Sequence, residues 1–411
     1  MDTGEFRRLW NEIEPIGRAD SGGYLRFSWT ETDLELRQWF HAQAKRRGLR
    51  YEEDRNGNLY AWWDAAKEQV IDPDAPHPDG AVLTGSHFDA VPHGGAYDGP
   101  LGIVSGFLAI DALRAAGAEP KRPIGIAAFT EEEGGRFGVP CLGSRLMTGA
   151  IDPERARALT DPDGITLAEA MNAAGAEPDL IGPDPERLRR IAAFIELHIE
   201  QGRALDGGEA PVAVASAIWP HGRWRVTFTG VADHAGTTRL PDRRDPMLTF
   251  AFAVLAARKE ARLAGGVATV GRVEAEPNAT NAIASTVTAW LDVRAPDDAV
   301  LSEILSGFES KVTERAGRDG TEVAMSAESE SPIVEFDAAL RERIAELLGG
   351  APVLPTAAGH DAGVLSAHVP TAMLFVRNPS GVSHAPGEAA SDEDCAAGVA
   401  ALAAVLRDLA C

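Results

Sequence analysis

The sequence predicts an α/β fold: a mostly parallel sheet flanked by helices, interrupted by a smaller inserted α+β domain. Four short, unbroken apolar runs, at residues 81–86, 123–130, 191–197 and 371–376, are typical of buried parallel strands. The helix-like segment Leu101–Ala116 separates the first two runs, which is the strand–helix–strand order of a parallel crossover. These segments define the larger of two predicted domains.

The inserted domain is marked by a change in sequence pattern near Pro211. Residues 223–231 alternate between polar and apolar side chains, as a half-exposed strand does. The further elements predicted in this segment are helices near 245–264 and 297–317 and strands near 267–276, 283–294 and 320–328. The resulting order, β-α-β-β-α-β, is that of a ferredoxin-like sandwich. We interpret it as a lid, with residues 212–329 forming the insertion and residues 1–211 and 330–411 forming the larger domain.

Three further segments complete the prediction for the larger domain. Residues 60–63, Tyr-Ala-Trp-Trp, are predicted as an early strand that follows a turn at Asn56-Gly57-Asn58. Residues 72–80 are rich in Pro and Asp and are predicted as a loop. A helix is expected over 336–349, before the last strand.

Charge and cysteine content exclude several classes of function. The chain carries 39 Lys and Arg against 62 Asp and Glu, and no basic cluster stands out. Nucleic acids and anionic membranes are therefore not expected as partners, since both are recognised by cationic patches. The N-terminus lacks a secretory pattern, and no apolar run approaches the roughly 18 residues that cross a bilayer. Three widely spaced cysteines, Cys141, Cys395 and Cys411, predict a reducing cytoplasm.

Five residues of metal-ligand type follow the predicted strands or their turns: His87, Asp98, Glu133, His198 and His384. Open α/β sheets bind ligands at the carboxyl ends of their strands, so we expect these side chains to meet at one rim. Three imidazoles and two carboxylates suit two divalent ions about 3.5–4 Å apart that share a carboxylate and an activated water. The sequence therefore predicts a metallohydrolase.

Residues beside these ligands are predicted to support them. Asp89 lies two positions after His87 and, by strand alternation, is expected to hold the second nitrogen of that imidazole. Thr130 is followed by three successive Glu residues, which repel one another unless cations compensate. Glu133 is predicted to ligate, and Glu132 to face the attacking water as a general base.

Each ligand candidate also has a purely structural interpretation. Asp98 lies in a Gly-rich loop directly before a helix, where it is a candidate N-cap. The Glu triplet is also typical of an acidic turn. His87, His198 and His384 taken singly are typical of turn, core or loop histidines. The metal interpretation rests on their joint position at strand ends.

Taken together, the motifs resemble the dinuclear metallohydrolases related to aminoacylase and carboxypeptidase G. The resemblance is closest to the hydantoinase/carbamoylase branch, which contains N-carbamoyl-L-amino acid hydrolases, β-ureidopropionase and allantoate amidohydrolase. It runs from about residue 30 to the C-terminus. The motifs that carry it are G-S-H-F-D-A-V-P, G-G-A-Y-D-G-P-L-G, T-E-E-E-G-G-R-F-G, L-H-I-E-Q-G, H-A-G-T-T, R-R-D and S-H-A-P.

The resemblance implies a ligand set for each of two divalent metal ions per subunit. The implied ligands are His87, Asp98 and His198 for one ion, and Asp98, Glu133 and His384 for the other. Glu132 is then the catalytic base. The family motif usually is T-N-E-E-G, so Glu131 takes the Asn position and adds a negative charge beside the site. Such ligands admit zinc or manganese, and also cobalt or nickel.

The resemblance also implies residues that bind the substrate. Arg294 matches an arginine that grips the substrate carboxylate, a role that suits a guanidinium fork. Gln201 and Asn281 match amide positions that hydrogen-bond the substrate, and His360 lines the pocket. His234 matches a catalytic lid histidine that reaches the neighbouring subunit's site and stabilises the oxyanion, which implies a homodimer through the lid. The structural alternatives are a surface strand residue for Arg294 and a turn residue for His234.

These features predict a cytoplasmic, metal-dependent amidohydrolase that cleaves the ureido C–N bond of a small carboxylate substrate and releases ammonia and carbon dioxide. The expected substrate is allantoate or an N-carbamoyl-L-amino acid. The motifs Ala-Gly-His-Asp-Ala-Gly-Val-Leu and Phe-Val-Arg-Asn-Pro look more like allantoate amidohydrolases. One alternative is a dinuclear metallopeptidase or aminoacylase that acts on N-acyl amino acids or dipeptides. The other is a catalytically silent binding homologue, which would lack a ligand or the base.

Overall fold

The structure, a computed structural model, describes residues 3–65 and 80–411. The chain divides into two compact units, one formed by residues 1–216 and 335–411 and the other by residues 217–334. The predicted loop at 72–80 lies outside the described residues except for residue 80.

The secondary-structure elements are numbered in chain order. The strands of the described ranges are β1 (Arg50–Glu53), β2 (Leu59–Trp63), β3 (Ala81–His87), β4 (Ile124–Phe129), β5 (Ile191–Ile199), β6 (Val212–Ile218), β7 (His221–Thr229), β8 (Asp233–His234), β9 (Val267–Glu276), β10 (Ala282–Ile283), β11 (Thr286–Arg294), β12 (Glu322–Ser331), β13 (Val334–Glu335), β14 (Val353–Thr356) and β15 (Thr371–Val376). The α-helices are α1 (Thr3–Ile13), α2 (Glu31–Arg46), α3 (Pro100–Ala115), α4 (Leu142–Thr148), α5 (Pro153–Arg157), α6 (Leu167–Ala173), α7 (Pro185–Arg189), α8 (Pro246–Ala264), α9 (Asp298–Asp319), α10 (Ala338–Leu347), α11 (Asp361–Leu365) and α12 (Asp392–Ala410).

The larger unit is built on a sheet with the strand order β1-β2-β4-β3-β5-β15-β6-β13, to which β14 adds by pairing with β6. Strands β4, β3, β5 and β15 run parallel at its centre, and β2 and β6 border them in antiparallel pairing. Every residue of β3, β4 and β15 is buried, which explains their unbroken apolar runs. The predicted α/β class with a mostly parallel, helix-flanked sheet is confirmed.

The alternation of side chains along β5 places apolar and ionisable residues on opposite faces of the sheet. Ile195 and Leu197 join the hydrophobic core that also contains α3 and α12. Successive strand residues point to opposite faces, so Glu196 and His198 face away from this core. The strand therefore places Ile195 and Leu197 in this core and presents Glu196 and His198 on the opposite face.

The smaller unit contains a four-stranded antiparallel sheet in the order β12-β7-β11-β9. Along β7, Trp224, Val226 and Phe228 are buried and Arg223 and Arg225 are exposed, as the alternating pattern predicts. These side chains share a core with α8 and α9. The chain order β7-α8-β9-β11-α9-β12 is ferredoxin-like.

The observed division differs from the predicted one by five residues at each end. β6 pairs with β15 in the large sheet, so residues 212–216 belong to the larger unit rather than to the insertion. At the other end β12 runs to Ser331, and the chain rejoins the large sheet only at β13. β6 and β13 are neighbours in that sheet. Within the described ranges, no helix combines the length and apolarity that spanning a membrane requires.

Candidate metal centre

The ends of three parallel strands and two loops bring the five predicted ligands together. His87 is the last residue of β3, and His198 is the penultimate residue of the neighbouring β5. Asp98 precedes α3, Glu133 follows β4, and His384 lies in the loop after β15. Their potential ligand atoms form two groups that share Asp98: His87 with Asp98 and His198, and Asp98 with Glu133 and His384. We call these the first and the second half-site.

The first half-site is completely buried and presents two free lone pairs. Nδ1 of His87 donates to the carbonyl oxygen of Asp89, and Nδ1 of His198 donates to that of Ile199, both at 2.9 Å. The two Nε2 atoms lie 3.5 and 3.1 Å from Oδ1 of Asp98 and have no hydrogen-bond partner within the described residues. Neutral imidazoles point these Nε2 lone pairs at a carboxylate oxygen, an arrangement that a divalent cation among the three atoms compensates.

The second half-site uses the other oxygen of the same carboxylate. Nε2 of His384 lies 3.3 Å from Oδ2 of Asp98 and 3.4 Å from Oε2 of Glu133. The His384 side chain is 47% exposed, whereas those of His87 and His198 are 0% exposed. Asp98 therefore divides its two oxygens between the half-sites, as a bridging ligand does.

The protonation equilibria show how strongly this centre attracts positive charge. Burial lowers the pKa of His87, but the surrounding carboxylates, Glu132 foremost, outweigh it and hold that pKa well above its usual range. The hydrogen bond to Asp98 raises the pKa of His384 to about 9. Burial, reinforced by the charge of Asp98, raises the pKa of Glu133 to about 7. The residues present therefore fit a pair of divalent cations.

Glu132 lies beside the first half-site but belongs to neither ligand group. Its side chain is buried, with Oε2 lying 3.6 Å from Nε2 of His87. Its Oε1 accepts a hydrogen bond from the thiol of Cys141 at 3.5 Å. Burial raises the pKa of Glu132 well above its usual range, and that of Cys141 as well, so the thiol stays protonated and donates. Sequence reasoning did not predict the Cys141 contact.

Glu131 points away from the centre, unlike its two neighbours. Its Oε1 accepts from the backbone N–H groups of Arg136 and Phe137 at 2.9 and 2.6 Å. Its backbone adopts the left-handed conformation, with φ 56°, where Asn is several-fold enriched over other non-glycine residues. The Asn at this position of the family motif is the residue type that this conformation favours.

The prediction that the Asp89 carboxylate holds the second nitrogen of His87 is wrong. The backbone carbonyl of Asp89, not its carboxylate, holds Nδ1 of His87, and the carboxylate lies 3.7 Å from that nitrogen. The carboxylate instead accepts from the backbone N–H groups of Glu132 and Glu133 at 3.0 and 2.9 Å. β3 ends at His87, so the alternation on which the prediction relied no longer applies at Asp89. Asp89 thus supports both an imidazole and the Glu132–Glu133 turn.

Gln201 lies at the second half-site. Its amide nitrogen donates to Oδ2 of Asp98 at 2.9 Å and to the hydroxyl of Ser383 at 3.1 Å. It is also 3.3 Å from Nε2 of His384. Gln201, which the family resemblance assigns to substrate binding, therefore lies within reach of Asp98 and His384, two residues of the second half-site.

His360 is buried beside the first half-site, with its ring centroid 4.5 Å from that of His198. Burial lowers the pKa of His360 well below its usual range, so the ring is neutral. Glu196, His198 and His360 form a third group with metal-ligand spacing. However, the oxygens of Glu196 already accept from the Ser86 hydroxyl and the Ala362 N–H, at 2.9 and 3.0 Å. Glu196 therefore supports the local structure instead of offering a free ligand.

In the smaller unit, His234 and Asn281 are neighbours. Nδ1 of His234 accepts from the N–H groups of Gly236 and Thr237 at 2.9 and 3.1 Å, which places the ring proton of a neutral His234 on Nε2. The side chain is exposed, so this N–H is available to an outside acceptor. The carbonyl of Asn281 accepts from Ala235 at 3.0 Å, and β8 pairs with β10 beside it.

Arg294 lies in the four-stranded sheet, at the end of β11 that is remote from the segment carrying His234. It is the last residue of β11, where its Nε donates to Oδ1 of Asp292 at 2.9 Å. The segment that carries His234 leaves β7 beside Thr286, the first residue of β11. Thr286 and Arg294 are eight residue steps of about 3.3 Å apart, so the two ends of β11 are separated by about 26 Å. The structure thus does not bring Arg294 together with His234 and Asn281 within one copy of this unit.

Two supporting residues were also missed by sequence reasoning. The guanidinium of Arg243 donates to the carbonyls of Ala235 and Thr238 at 2.7 and 3.0 Å and holds the loop that carries His234. Glu388 accepts from the backbone N–H of Asp98 at 3.0 Å. The R-R-D motif and the end of the segment that contains S-H-A-P include these residues, but neither pattern indicates what they bind.

The chain belongs to the peptidase family M20/M25/M40, whose sequence pattern matches residues 83–408. It is 36% identical over 410 residues to N-carbamoyl-L-amino acid amidohydrolase of Geobacillus stearothermophilus, with 96% of each chain covered. It is 33% identical over 417 residues to allantoate amidohydrolase of Escherichia coli strain K12, with 98% of each covered. A solved amidase of the hydantoinase/carbamoylase family from Burkholderia multivorans matches with a TM-score of 0.85 and 30% identity, covering 100% of this chain and 98% of that one. The predicted membership of the hydantoinase/carbamoylase branch is confirmed.

Proposed function

We propose that this protein is a metal-dependent amidohydrolase that cleaves the ureido C–N bond of a small carboxylate substrate. The observation that carries the proposal is the division of the Asp98 carboxylate between two half-sites, with Glu132 buried beside them. The relatives are named for hydrolysis of N-carbamoyl-L-amino acids and of allantoate. Both kinds of molecule combine a terminal ureido group with a carboxylate.

The centre is proposed to hold two divalent ions per subunit. His87 and His198 with Oδ1 of Asp98 would hold one, and Glu133 and His384 with Oδ2 of Asp98 the other. Bound there, such ions supply Lewis acidity for the attack of water on the ureido carbonyl carbon. Imidazole and carboxylate ligands without a thiolate favour zinc or manganese and also admit cobalt or nickel.

Glu132 is proposed to move the proton. Cys141 holds its Oε1, which leaves Oε2 directed toward the first half-site. Glu132 takes a proton from the attacking water and returns it to the leaving nitrogen. A carboxyl whose pKa burial has raised suits both transfers better than an ordinary glutamate, because its conjugate acid is formed more readily. The cleaved carbamoyl group then breaks down to ammonia and carbon dioxide.

The test of this assignment is Glu132→Gln, measured by ammonia release and metal content together. Turnover is expected to fall on the order of 10²–10⁴-fold, the usual contribution of general acid–base catalysis. The metal content should be unchanged, since Glu132 belongs to neither half-site. Glu131→Gln is the matched control, because that adjacent carboxyl belongs to neither half-site and accepts from the backbone of the turn. Full turnover in the Glu132→Gln protein would contradict the assignment.

A substrate panel decides between the candidate substrates. We propose allantoate first, on the Ala-Gly-His-Asp-Ala-Gly-Val-Leu motif, and N-carbamoyl-L-amino acids second. The assay compares ammonia release from both with hydrolysis of an N-acetyl amino acid and a dipeptide, in protein loaded with zinc or with manganese. Hydrolysis of only the last two compounds would favour an aminoacylase or peptidase.

The active unit is proposed to be a homodimer. One small substrate cannot contact Arg294 and His234 of the same copy of the smaller unit, because Arg294 lies about 26 Å along β11 from the end at which the segment carrying His234 leaves β7. We therefore propose that Arg294 binds the substrate carboxylate within its own subunit, while His234 and Asn281 of the partner subunit contact the reacting end. The outward Nε2–H of His234 suits stabilisation of an oxyanion.

The surface of the smaller unit supports dimerisation there. β9 is an edge strand of its sheet, and an edge strand offers unpaired backbone groups to a partner. Helix α8 and strand β9 also expose several large apolar side chains: Leu248, Leu255, Leu263, Val267 and Val273. A cluster of such residues marks an interaction surface. The smaller unit is thus proposed to act as both lid and dimerisation domain.

Coexpression of two inactive variants tests the exchange of His234. In random dimers of His234→Ala and Glu132→Gln chains, about a quarter of the sites would combine an intact base with an intact partner histidine. Activity near that fraction is expected if His234 acts across the dimer. No recovery in verified mixed dimers would contradict the proposal, as would full activity of an isolated monomer.

The cytoplasm is proposed as the compartment. Cys141, Cys395 and Cys411 are all unpaired, which suits a reducing environment. Trapping of thiols in intact cells, followed by mass spectrometry, should find all three reduced. An oxidised cysteine pair in that experiment would contradict the proposal.

A further inference from the structure

The second half-site draws its ligands from loops rather than from strands. Asp98 lies in the segment between β3 and α3, and His384 lies in the segment between β15 and α12. His384 has a backbone φ of 57°, in the left-handed region that non-glycine residues seldom adopt. Contacts between the two loops must therefore fix the spacing of these ligands.

Glu388 makes such a contact. It follows His384 by four positions, and its Oε1 accepts from the backbone N–H groups of Tyr97 and Asp98 at 2.8 and 3.0 Å. The Glu388 side chain is buried, and it is absent from both ligand groups among the described residues. It thus joins the loop of one ligand to the backbone of another.

Gly95 leaves the space in which Glu388 lies. A Cβ at Gly95 would fall 2.3 Å from both Cδ and Oε1 of the Glu388 carboxylate, much closer than atoms can approach. The backbone of Gly95 is not in the left-handed region, so its lack of a side chain serves this approach and not an unusual conformation. The Gly-rich loop therefore accommodates the carboxylate of Glu388.

Asn378 anchors the other side of the His384 loop. Its amide donates to the carbonyls of Glu200 and Val382 at 3.1 and 2.8 Å, and its oxygen accepts from the N–H of Gly381 at 3.1 Å. These bonds tie the start of the loop to the end of β5. The loop is thus fastened to β5 on one side of His384 and to the Asp98 loop on the other.

We propose that Glu388 is a positioning residue that sets the spacing between Asp98 and His384, and thereby the affinity of the second half-site for its ion. The proposal rests on the two-ion centre proposed above. The first half-site depends less on this contact, since His87 and His198 lie on paired strands and are held by backbone carbonyls.

The experiment titrates the metal-stripped full chain with Zn²⁺ in competition with a chromophoric chelator. Wild-type protein should bind two ions per subunit. Glu388→Ala should weaken the second by about 10–100-fold, the usual effect of losing a residue that orients a ligand, and the first much less. Glu388→Gln should keep both affinities near those of wild type, since its amide oxygen accepts the same two N–H groups.

Gly95→Ala gives an independent route to the same result. Its methyl group displaces the Glu388 carboxylate without altering any ligand, so it should reproduce the selective loss of the second ion. Gly317→Ala, where a Cβ meets open space, is the control. Unchanged binding in both Glu388→Ala and Gly95→Ala would overturn the role of Glu388, as would equal loss of both ions. Fewer than two ions bound to wild type would instead refute the two-ion centre.

Discussion

The two half-sites share one carboxylate but are held by different parts of the fold. In the first, His87 and His198 belong to adjacent strands, are fully buried and donate to backbone carbonyls. In the second, Glu133 and His384 come from segments outside strands, and His384 is half-exposed. The first therefore owes its geometry to the sheet, and the second owes it to contacts between loops. The difference predicts that the two proposed ions bind with unequal strength.

The largest expected effect is the loss of one imidazole from either half-site. His198→Ala and His384→Ala should each lower turnover by about 10³-fold, since an ion contributes several kcal/mol and each 1.4 kcal/mol is tenfold. His198→Ala should also destabilise the metal-free protein more than His384→Ala does, by about 1–3 kcal/mol, because it leaves the buried Ile199 carbonyl without its donor. Metal analysis and urea unfolding of both variants would measure this. Equal unfolding free energies would contradict the contrast.

When metal is removed, the two half-sites should lose their ions at different rates. The half-exposed ligand His384 gives a chelator access to the second ion, whereas the ligands of the first are buried. The second ion should leave tenfold faster or more, which corresponds to about 1.4 kcal/mol less opening free energy. Chelator dialysis with metal analysis at intervals should therefore show a plateau near one ion per subunit. Simultaneous loss of both ions would remove the distinction.

The pH dependence of ion binding provides a further test of the second half-site. Ligands must lose their protons to bind, and the pKa of His384 is about 9 and that of Glu133 about 7. Affinity for the second ion should rise with pH, by about tenfold per unit between 7 and 9 and more steeply below 7, where both ligands are protonated. Titrations with Mn²⁺ across this range would show the change in slope. An affinity independent of pH would contradict it.

The smallest expected effect is that of Glu131→Gln. The substitution keeps an oxygen for the N–H groups of Arg136 and Phe137. It removes the negative charge that Glu131 carries above pH 7, since burial raises the pKa of this carboxyl to about 7. A single screened charge at this range changes affinity for a cation by about threefold. Second-ion affinity should fall by that amount, with turnover at saturating metal nearly unchanged. A large loss of turnover would show that Glu131 takes part in the reaction.

The meeting of the candidate ligand side chains at one edge of the sheet was predictable because strand ends impose their position. Unbroken apolar runs locate β3, β4, β5 and β15, and the parallel order of these strands brings His87, Glu132 and His198 to one edge. The sheet class followed from the same patterns, whereas the family followed from the motifs that carry the resemblance. The order of elements in the smaller unit was likewise visible in its alternation and helix periods.

The contacts that position these residues were not predictable, because they depend on loop conformation. To predict that the Asp89 carbonyl holds His87, one would have to know that β3 ends at His87. The bonds of Glu388 join segments far apart in the chain, and no periodicity connects them. The same limit explains the displaced domain boundary, since the pairing of β6 with β15 is a long-range contact.

The smaller unit is one uninterrupted stretch of chain whose two junctions lie side by side, because β6 and β13 are neighbours in the large sheet. A gene segment for residues 217–334 is therefore graftable between homologues without rerouting the host polypeptide. With Arg294 binding the substrate carboxylate as proposed above, metal chemistry and recognition of that carboxylate would evolve by separate exchanges. A chimera that carries a homologue's segment should keep its reaction type while it adopts the donor's substrate preference.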